Sequence, residues 1–340
     1  MTDQLDLGCE FTLVGKLQKD FILPINHQPV LDAPGGNLMY AAVGLNMWEG
    51  KAGLVARVSS DYNLEWLQKL ADLRFDLSGI IQCGESFDMR YFAAYSDPQT
   101  IHLENPLNHF ADLRLPLPQA LLGYESENGK KCNKNAYGHQ SIHISDIPNE
   151  YRDVRAAHIC PIDYISHKTV PSILRSGLIQ TLSMSSASCY MDPLFWNDLP
   201  ILISDLTIFM TEEKDIRSLF QGRSVDLWEM ADELTSYGPE YIIIHLKDGG
   251  HLLLDRISQK RWKIPAYPIT VVDPTGVNDA FAGAFLVVYQ KTYEPLEGAL
   301  AGAIAASFVV GGSGPFYALD AMPGLKEARL KSLKEKVIEM

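Results

Sequence analysis

Short apolar runs recur along this chain, and segments with helical spacing lie between them. The runs stand at 12–15, 51–58, 156–160, 178–184, 206–210 and 241–246. Between them, 38–48 is rich in Ala, Leu and Met, and 63–73 sets Leu64, Trp66, Leu67, Leu70 and Leu73 at helical intervals. Alternation of strand and helix builds a mainly parallel sheet with helices on both faces, so the expected fold class is α/β. Two regions break the alternation. Residues 21–31 and 89–103 read as short extended pieces with turns, and hairpins inserted into an α/β domain often form lids over a site.

The chain has 340 residues, enough for one large domain or two modest ones. The organisation favours a single domain over 1–340, with lid segments near 20–33 and 87–104. Residues 124–146 are polar, with Lys130, Lys131 and Lys134 close together, and read as an exposed insertion. A net charge of −13 argues against a nucleic-acid partner, which needs a basic face. No apolar run reaches membrane-span length, and the acidic N-terminus lacks a signal pattern, so no membrane partner and a cytoplasmic location are expected. Five scattered cysteines (Cys9, Cys83, Cys132, Cys160 and Cys189) with no C-x-x-C pair read as reduced thiols rather than a zinc site.

Function is most legible at 273–285, Asp-Pro-Thr-Gly-Val-Asn-Asp-Ala-Phe-Ala-Gly-Ala-Phe. The apolar run 269–272 before it reads as a strand, and the small-residue run 280–289 after it reads as a helix. A turn at Gly276 into a helix start leaves unpaired N–H groups aimed at one spot, which makes an anion site. Asp279 lies in the same turn. Helix capping is one task for such an acid, and taking a proton from a hydroxyl that attacks a phosphoryl group is another.

Near the N-terminus, Pro34-Gly35-Gly36-Asn37-Leu38-Met39-Tyr40 places two glycines just before a helix, where a ligand can approach the backbone. This Gly-Gly helix start, followed late in the chain by D-x-x-G-x-x-D, resembles the ribokinase-like, or PfkB, family of carbohydrate and nucleoside kinases. The resemblance spans roughly residues 10–325. It implies a three-layer α/β/α sandwich with a mainly parallel central sheet and a small β lid, and transfer of the ATP γ-phosphoryl group to a substrate hydroxyl. Asp279 stands where the family keeps its base, and the N–H groups of Gly276, Val277, Asn278 and Asp279 where it builds an anion hole. Asp20, Gly35, Gly36 and Tyr40 match its substrate pocket. Asp163, just past the run 156–160, joins them as a strand-end pocket residue.

The resemblance also implies nucleotide contacts at Lys247, Gly250, Thr275, Gly276, Gly311 and Ser313. The segment 212–215, followed by Leu219 and Gly222, falls where an Asn-x-x-Glu element orders magnesium. Asp215 takes the Glu position there, acting through water, with Glu213 as its rival. The implied cofactors are ATP and Mg2+, with a monovalent cation near Asp273 and Ser313 and a homodimer through the lid as further family features.

Four departures mark this chain. Gly276-Val277-Asn278 replaces Gly-Ala-Gly, and Asn278 tolerates a left-handed backbone. Tyr40 replaces an Asn in the pocket, His245 a Thr, and Lys247 a Gly. His102 and His109, near the lid, are minor candidates for substrate contact. The leading expectation is a kinase for a sugar or sugar-like alcohol, because Asp20 is available for hydroxyls. The alternative is a nucleoside kinase, with Tyr40, Phe92 and Tyr95 stacking on a base. A catalytically weak, ligand-binding member of the same fold is the third reading.

Overall fold

The computed structural model of the chain describes residues 9–127 and 129–340. The acidic segment 1–8 and Asn128 of the polar insertion lie outside the described residues.

Fourteen strands are present among the described residues. They are β1 (Phe11–Val14), β2 (Gln18–Leu23), β3 (Val30–Gly35), β4 (Ala52–Val58), β5 (Asp76–Gln82), β6 (Arg90–Asp97) and β7 (Thr100–His102), then β8 (Ala156–Ile159), β9 (Thr181–Ser185), β10 (Ile208–Glu212), β11 (Tyr241–His245), β12 (His251–Asp255), β13 (Arg261–Ile264) and β14 (Ile338–Glu339). Ten of them form one sheet in the order β14-β13-β12-β11-β10-β9-β8-β1-β4-β5. Pairing is parallel from β5 through β11 and antiparallel from β11 to β14. The strand order reverses direction between β1 and β8. In such sheets ligands bind at the carboxyl ends of the strands beside that switch point.

Helices cover both faces, as the resemblance implied. One apolar core joins the sheet to the Tyr164–Arg175 and Leu227–Thr235 helices. The opposite face packs against the Asn37–Asn46, Val277–Thr292 and Pro295–Val309 helices. These three helices sit close because their contact faces are small. A Cβ on Gly283 would lie 1.9 Å from the Ala41 carbonyl oxygen, and one on Gly44 would lie 2.0 Å from that of Ala280. Backbones in such contact fix the height of Asp279 relative to the first turn of the Asn37–Asn46 helix.

The other four strands form a separate sheet in the order β3-β2-β6-β7. Alternation along β2 and β6 divides its side chains between two faces. Phe21, Leu23, Phe92 and Ala94 pack outward with Phe110 of the Pro106–Asp112 helix and Leu121. Asp20, Tyr91 and Tyr95 fall on the other face. The outer face of this sheet is therefore covered by this chain's own Pro106–Asp112 helix. Bonds that tie the small sheet to the body include Ile25 N–H to the Val272 carbonyl at 3.0 Å, Tyr95 Oη with Thr275 Oγ1 at 2.9 Å and Lys19 Nζ to Asp61 at 2.9 Å.

Two sequence readings need correction. Residues 269–272 do not form a strand. The Val272 N–H donates to the Val310 carbonyl beyond the Pro295–Val309 helix, and its carbonyl serves Ile25, so no sheet partner is left for it. The cysteines are not all free thiols: Cys132 and Cys189 form a disulfide. That bridge, with ion pairs Lys131–Asp192 and Lys134–Asp198, pins the polar insertion to the body. Cys9, Cys83 and Cys160 remain free. No helix of the described residues is long and apolar enough to cross a membrane.

Candidate active site

Gly276 begins the Val277–Thr292 helix with a φ of 72°, in the left-handed region that favours glycine. No side chain caps this end. Among the described residues, the backbone N–H groups of Gly276, Asn278 and Asp279 find no acceptor, whereas Val277 N–H reaches the Pro274 carbonyl at 3.4 Å. An uncapped helix start with free donors and the positive end of a dipole suits a phosphate.

Asp279 stands in that first turn, half-buried. Burial, with the Glu212 carboxylate nearby, pushes its carboxyl up to about 7. Asn278 is helical rather than left-handed, and its side chain does other work: Nδ2 donates to Glu212 Oε1 at 3.2 Å. Glu212 closes β10 and pairs with Lys214 at 2.8 Å. Burial opposes the Glu212 charge, but Lys214, His245 and Asn278 outweigh it and hold the carboxyl below its usual range. The sequence reading passed over Glu212 in favour of its neighbours. Its place at the last position of a strand beside the β11 end was the available signal.

Asp215 is 6% exposed, and its Oδ2 accepts from Ser188 Oγ at 2.9 Å. Burial and Glu212 push its carboxyl up to about 6. Glu213 is otherwise engaged, with Arg217 Nε at 2.8 Å and Lys247 N–H at 3.1 Å. Among the described residues no group of three or more His, Cys, Asp or Glu could hold a metal directly. Magnesium favours one or two carboxylates plus water and phosphate oxygens, and Glu212 with Asp215 fits that demand.

Asp20 reaches the site from β2 and is 2% exposed. A Cβ on Gly35 would fall 1.8 Å from Asp20 Oδ2, so only glycine leaves room for this carboxylate. Asp20 Oδ1 is buried without a partner. Burial, then Asp273, push its carboxyl up to about 8 against the pull of the Gly36 N–H. Asp273 itself accepts from Thr275 N–H at 2.9 Å through Oδ1, while its Oδ2 and Ser313 Oγ are buried without partners. Tyr40, Tyr91 and Tyr95 surround these acids, and burial with the nearby carboxylates raises all three phenols. Tyr91 was missed because period-two alternation along β6 was not followed; it faces Asp20 where Phe92 cannot. Phe92 is fully buried in the lid core, so it does not stack on a ligand. His102 and His109 lie together on the lid, 5.0 Å between ring centroids, with His109 against Phe92.

The remaining expected residues divide. Thr275 and Gly276 sit at the helix start, and the Gly311–Ser313 turn approaches it through the Val310 carbonyl, which accepts from Val272 and Asp273 N–H. Lys247 and Gly250 form the turn joining β11 to β12, tied to Glu213 and to Leu246. Asp163 caps the Tyr164–Arg175 helix, accepting from Ser166 N–H at 2.8 Å and Ser141 Oγ at 2.7 Å. Its oxygens thus serve the protein before any ligand.

Residues 178–322 match the model of the pfkB family carbohydrate kinases. Over that stretch the chain is similar to the PfkB carbohydrate kinases. That match, with the kinase relatives that follow, supports a phosphotransferase with an alcohol group as acceptor. It is similar to a cytidine kinase of Thermococcus kodakarensis, with 25% identity over 271 residues, 78% of this chain and 82% of that protein. Its fold is similar to that of a Vibrio cholerae O395 fructokinase double mutant solved with fructose, ADP and potassium (TM-score 0.67, 15% identity, covering 96% of this chain and 98% of that one). It is also similar to that of a Burkholderia thailandensis nucleoside kinase solved with inosine (TM-score 0.66, 16% identity, covering 95% and 98%). The fold is that of a PfkB-family sugar or nucleoside kinase.

Proposed function

We propose that this protein transfers the γ-phosphoryl group of ATP to a hydroxyl of a nucleoside, with Asp279 as general base. The observation that carries phosphotransfer is a carboxylate held near pKa 7 inside an uncapped helix start that offers free N–H donors. A base poised near neutrality takes a proton efficiently without being permanently protonated. Phosphoryl transfer otherwise demands positioning and charge stabilisation, and fixed backbone dipoles supply both without reorganising.

Each residue then has a task. Asp20 fixes neighbouring hydroxyls of the acceptor, its free Oδ1 aimed at no protein donor. Asp279 takes the proton of the attacking hydroxyl. Gly276, Asn278 and Asp279 N–H groups stabilise charge on the transferring phosphoryl oxygens. Glu212 and Asp215 would hold magnesium through water, and the ion when bound neutralises phosphate charge. Tyr95, tied to Thr275, keeps the small sheet over the reacting groups and limits water.

A nucleoside is favoured over a plain sugar by two observations. The 25%-identical relative covering most of both chains is a cytidine kinase. Tyr91 and Tyr95, partly exposed on the substrate side, offer ring surface for a base as well as hydroxyl contacts. ADP release measured over a panel of nucleosides and free sugars tests the reading. Turnover with nucleosides and little with ribose or fructose supports it; turnover with free sugars alone restores the sugar reading; none with either overturns it.

A further inference from the structure

Lys16 lies at the carboxyl end of β1, at the switch point of the sheet, and the proposed chemistry does not use it. Its backbone is held on both sides: its N–H donates to Asn37 Oδ1 at 2.7 Å, and its carbonyl accepts from Leu38 N–H at 3.1 Å. Asn37 Nδ2 in turn donates to the Pro161 carbonyl at 2.6 Å, so one amide staples the loops that follow β1 and β8. The Lys16 side chain starts from this fixed point and is largely enclosed. Among the described residues no hydrogen bond or ion pair reaches its ammonium.

An enclosed cation without an acceptor is costly, and a ligand that brings one removes the cost. Burial discourages the Lys16 charge, while Asp163 and Glu127 favour it. Each Asp163 oxygen already accepts a bond, from Ser141 and Ser166, and no ion pair joins it to Lys16 among the described residues. With acids already on its flank, the ammonium suits a neutral acceptor such as a carbonyl oxygen better than a second carboxylate or a phosphate. The polar insertion closes the same end, with Gln140 Nε2 donating to the Leu17 carbonyl at 3.0 Å.

Resting on the nucleoside reading above, we propose that Lys16 is a specificity-determining residue that donates a hydrogen bond to a ring carbonyl oxygen of the base, while Asp20 holds the sugar hydroxyls. A site built to donate to a carbonyl discriminates against bases that lack one, because the buried donor is then left unpaired. Inosine and adenosine differ at this feature: inosine carries a ring carbonyl where adenosine carries an amine.

Calorimetry without ATP tests this on the full chain, and so separates it from phosphotransfer. Wild-type protein is titrated with cytidine, uridine, inosine, adenosine and ribose, and Lys16→Met with the same set. The expected result is at least tenfold tighter binding of inosine than adenosine by the wild type. Lys16→Met should weaken cytidine, uridine and inosine at least tenfold and ribose less than threefold. Equal wild-type affinity for inosine and adenosine, no nucleoside binding, or an equal loss for ribose in the variant would each overturn the assignment. The wild-type comparison decides even if the variant does not fold. Lys16-dependent nucleoside binding without ADP release would leave the assignment standing and sink the kinase reading alone.

Discussion

The ring of Tyr40 occupies the space into which a side chain on Gly276 would project: a Cβ there would fall 2.0 Å from Tyr40 Cγ. Tyr40 comes from the first helix of the chain and Gly276 from the start of the Val277–Thr292 helix, so a proposed substrate-pocket residue and the proposed anion hole share one packing contact. Gly276→Ala should therefore carry two penalties, left-handed strain of about 1–2 kcal/mol and overpacking of about 1–3 kcal/mol. Denaturant melts of Gly276→Ala and of Gly276→Ala with Tyr40→Ala check this. Compared with Tyr40→Ala alone, which carries its own cavity cost, the double variant should lack the packing part and keep the strain. Full stability in the single variant would contradict the contact.

Asp279→Asn should lower turnover by about 10²–10⁴-fold, the range for loss of a general base. Nucleotide affinity should change little, because the helix N–H groups remain and the repulsion between Asp279 and Glu212 is relieved. Single-turnover ADP formation beside calorimetry with nucleotide separates the two effects. Retained turnover would remove Asp279 from the base role.

Both glycine helix starts of the candidate site were visible as sequence because each depends on local backbone. Gly276 followed by a helix, and Gly35-Gly36 followed by another, are turn signals within a few residues. The strand-helix order that builds the sheet was equally local. What lay hidden depended on tertiary placement. Glu212 reads as one of several acids until Asn278, 66 residues away, is seen to hold it. Phe92 and Tyr91 are sequence neighbours with opposite fates, decided by which face of β6 meets the Pro106–Asp112 helix. The Cys132–Cys189 bridge, with a sequence separation of 57, has no local signature.

Activity should rise with pH through neutrality. Asp279 must be ionised to act as a base, and its carboxyl is pushed up to about 7, so kcat/KM should climb between about pH 6 and 8. A profile flat over that range would show that another group takes the proton.

Stability of the ligand-free protein should run the other way. Asp20 and Asp279 have folded-state pKa values raised to about 8 and about 7, above the usual carboxylate value. The folded state then binds more protons than the unfolded state between about pH 4 and 8, so stability falls as pH rises through those folded values. Asp20→Asn should raise the thermal midpoint at pH 8 by about 2 °C or more while weakening substrate binding. A lower midpoint together with unchanged binding would mean that Asp20 serves the fold rather than the ligand.

The contact between Tyr95 Oη and Thr275 Oγ1 joins the small sheet to the turn before the Val277–Thr292 helix at 2.9 Å. Both residues are largely enclosed, so removing the phenol oxygen loses a neutral hydrogen bond and leaves Thr275 Oγ1 short of a partner. Such a loss costs about 0.5–1.5 kcal/mol. If the closed sheet is the state that binds acceptor, Tyr95→Phe should raise KM for the acceptor by about 2- to 10-fold, the same free energy read as affinity. Hydrogen exchange should quicken at Ile25, whose N–H bonds the Val272 carbonyl in the same loop. A Tyr95→Phe variant with unaltered KM and unaltered exchange at Ile25 would show that the lid is held by its other contacts, chiefly Lys19 with Asp61 at 2.9 Å, and that the tyrosine hydroxyl is not part of closure.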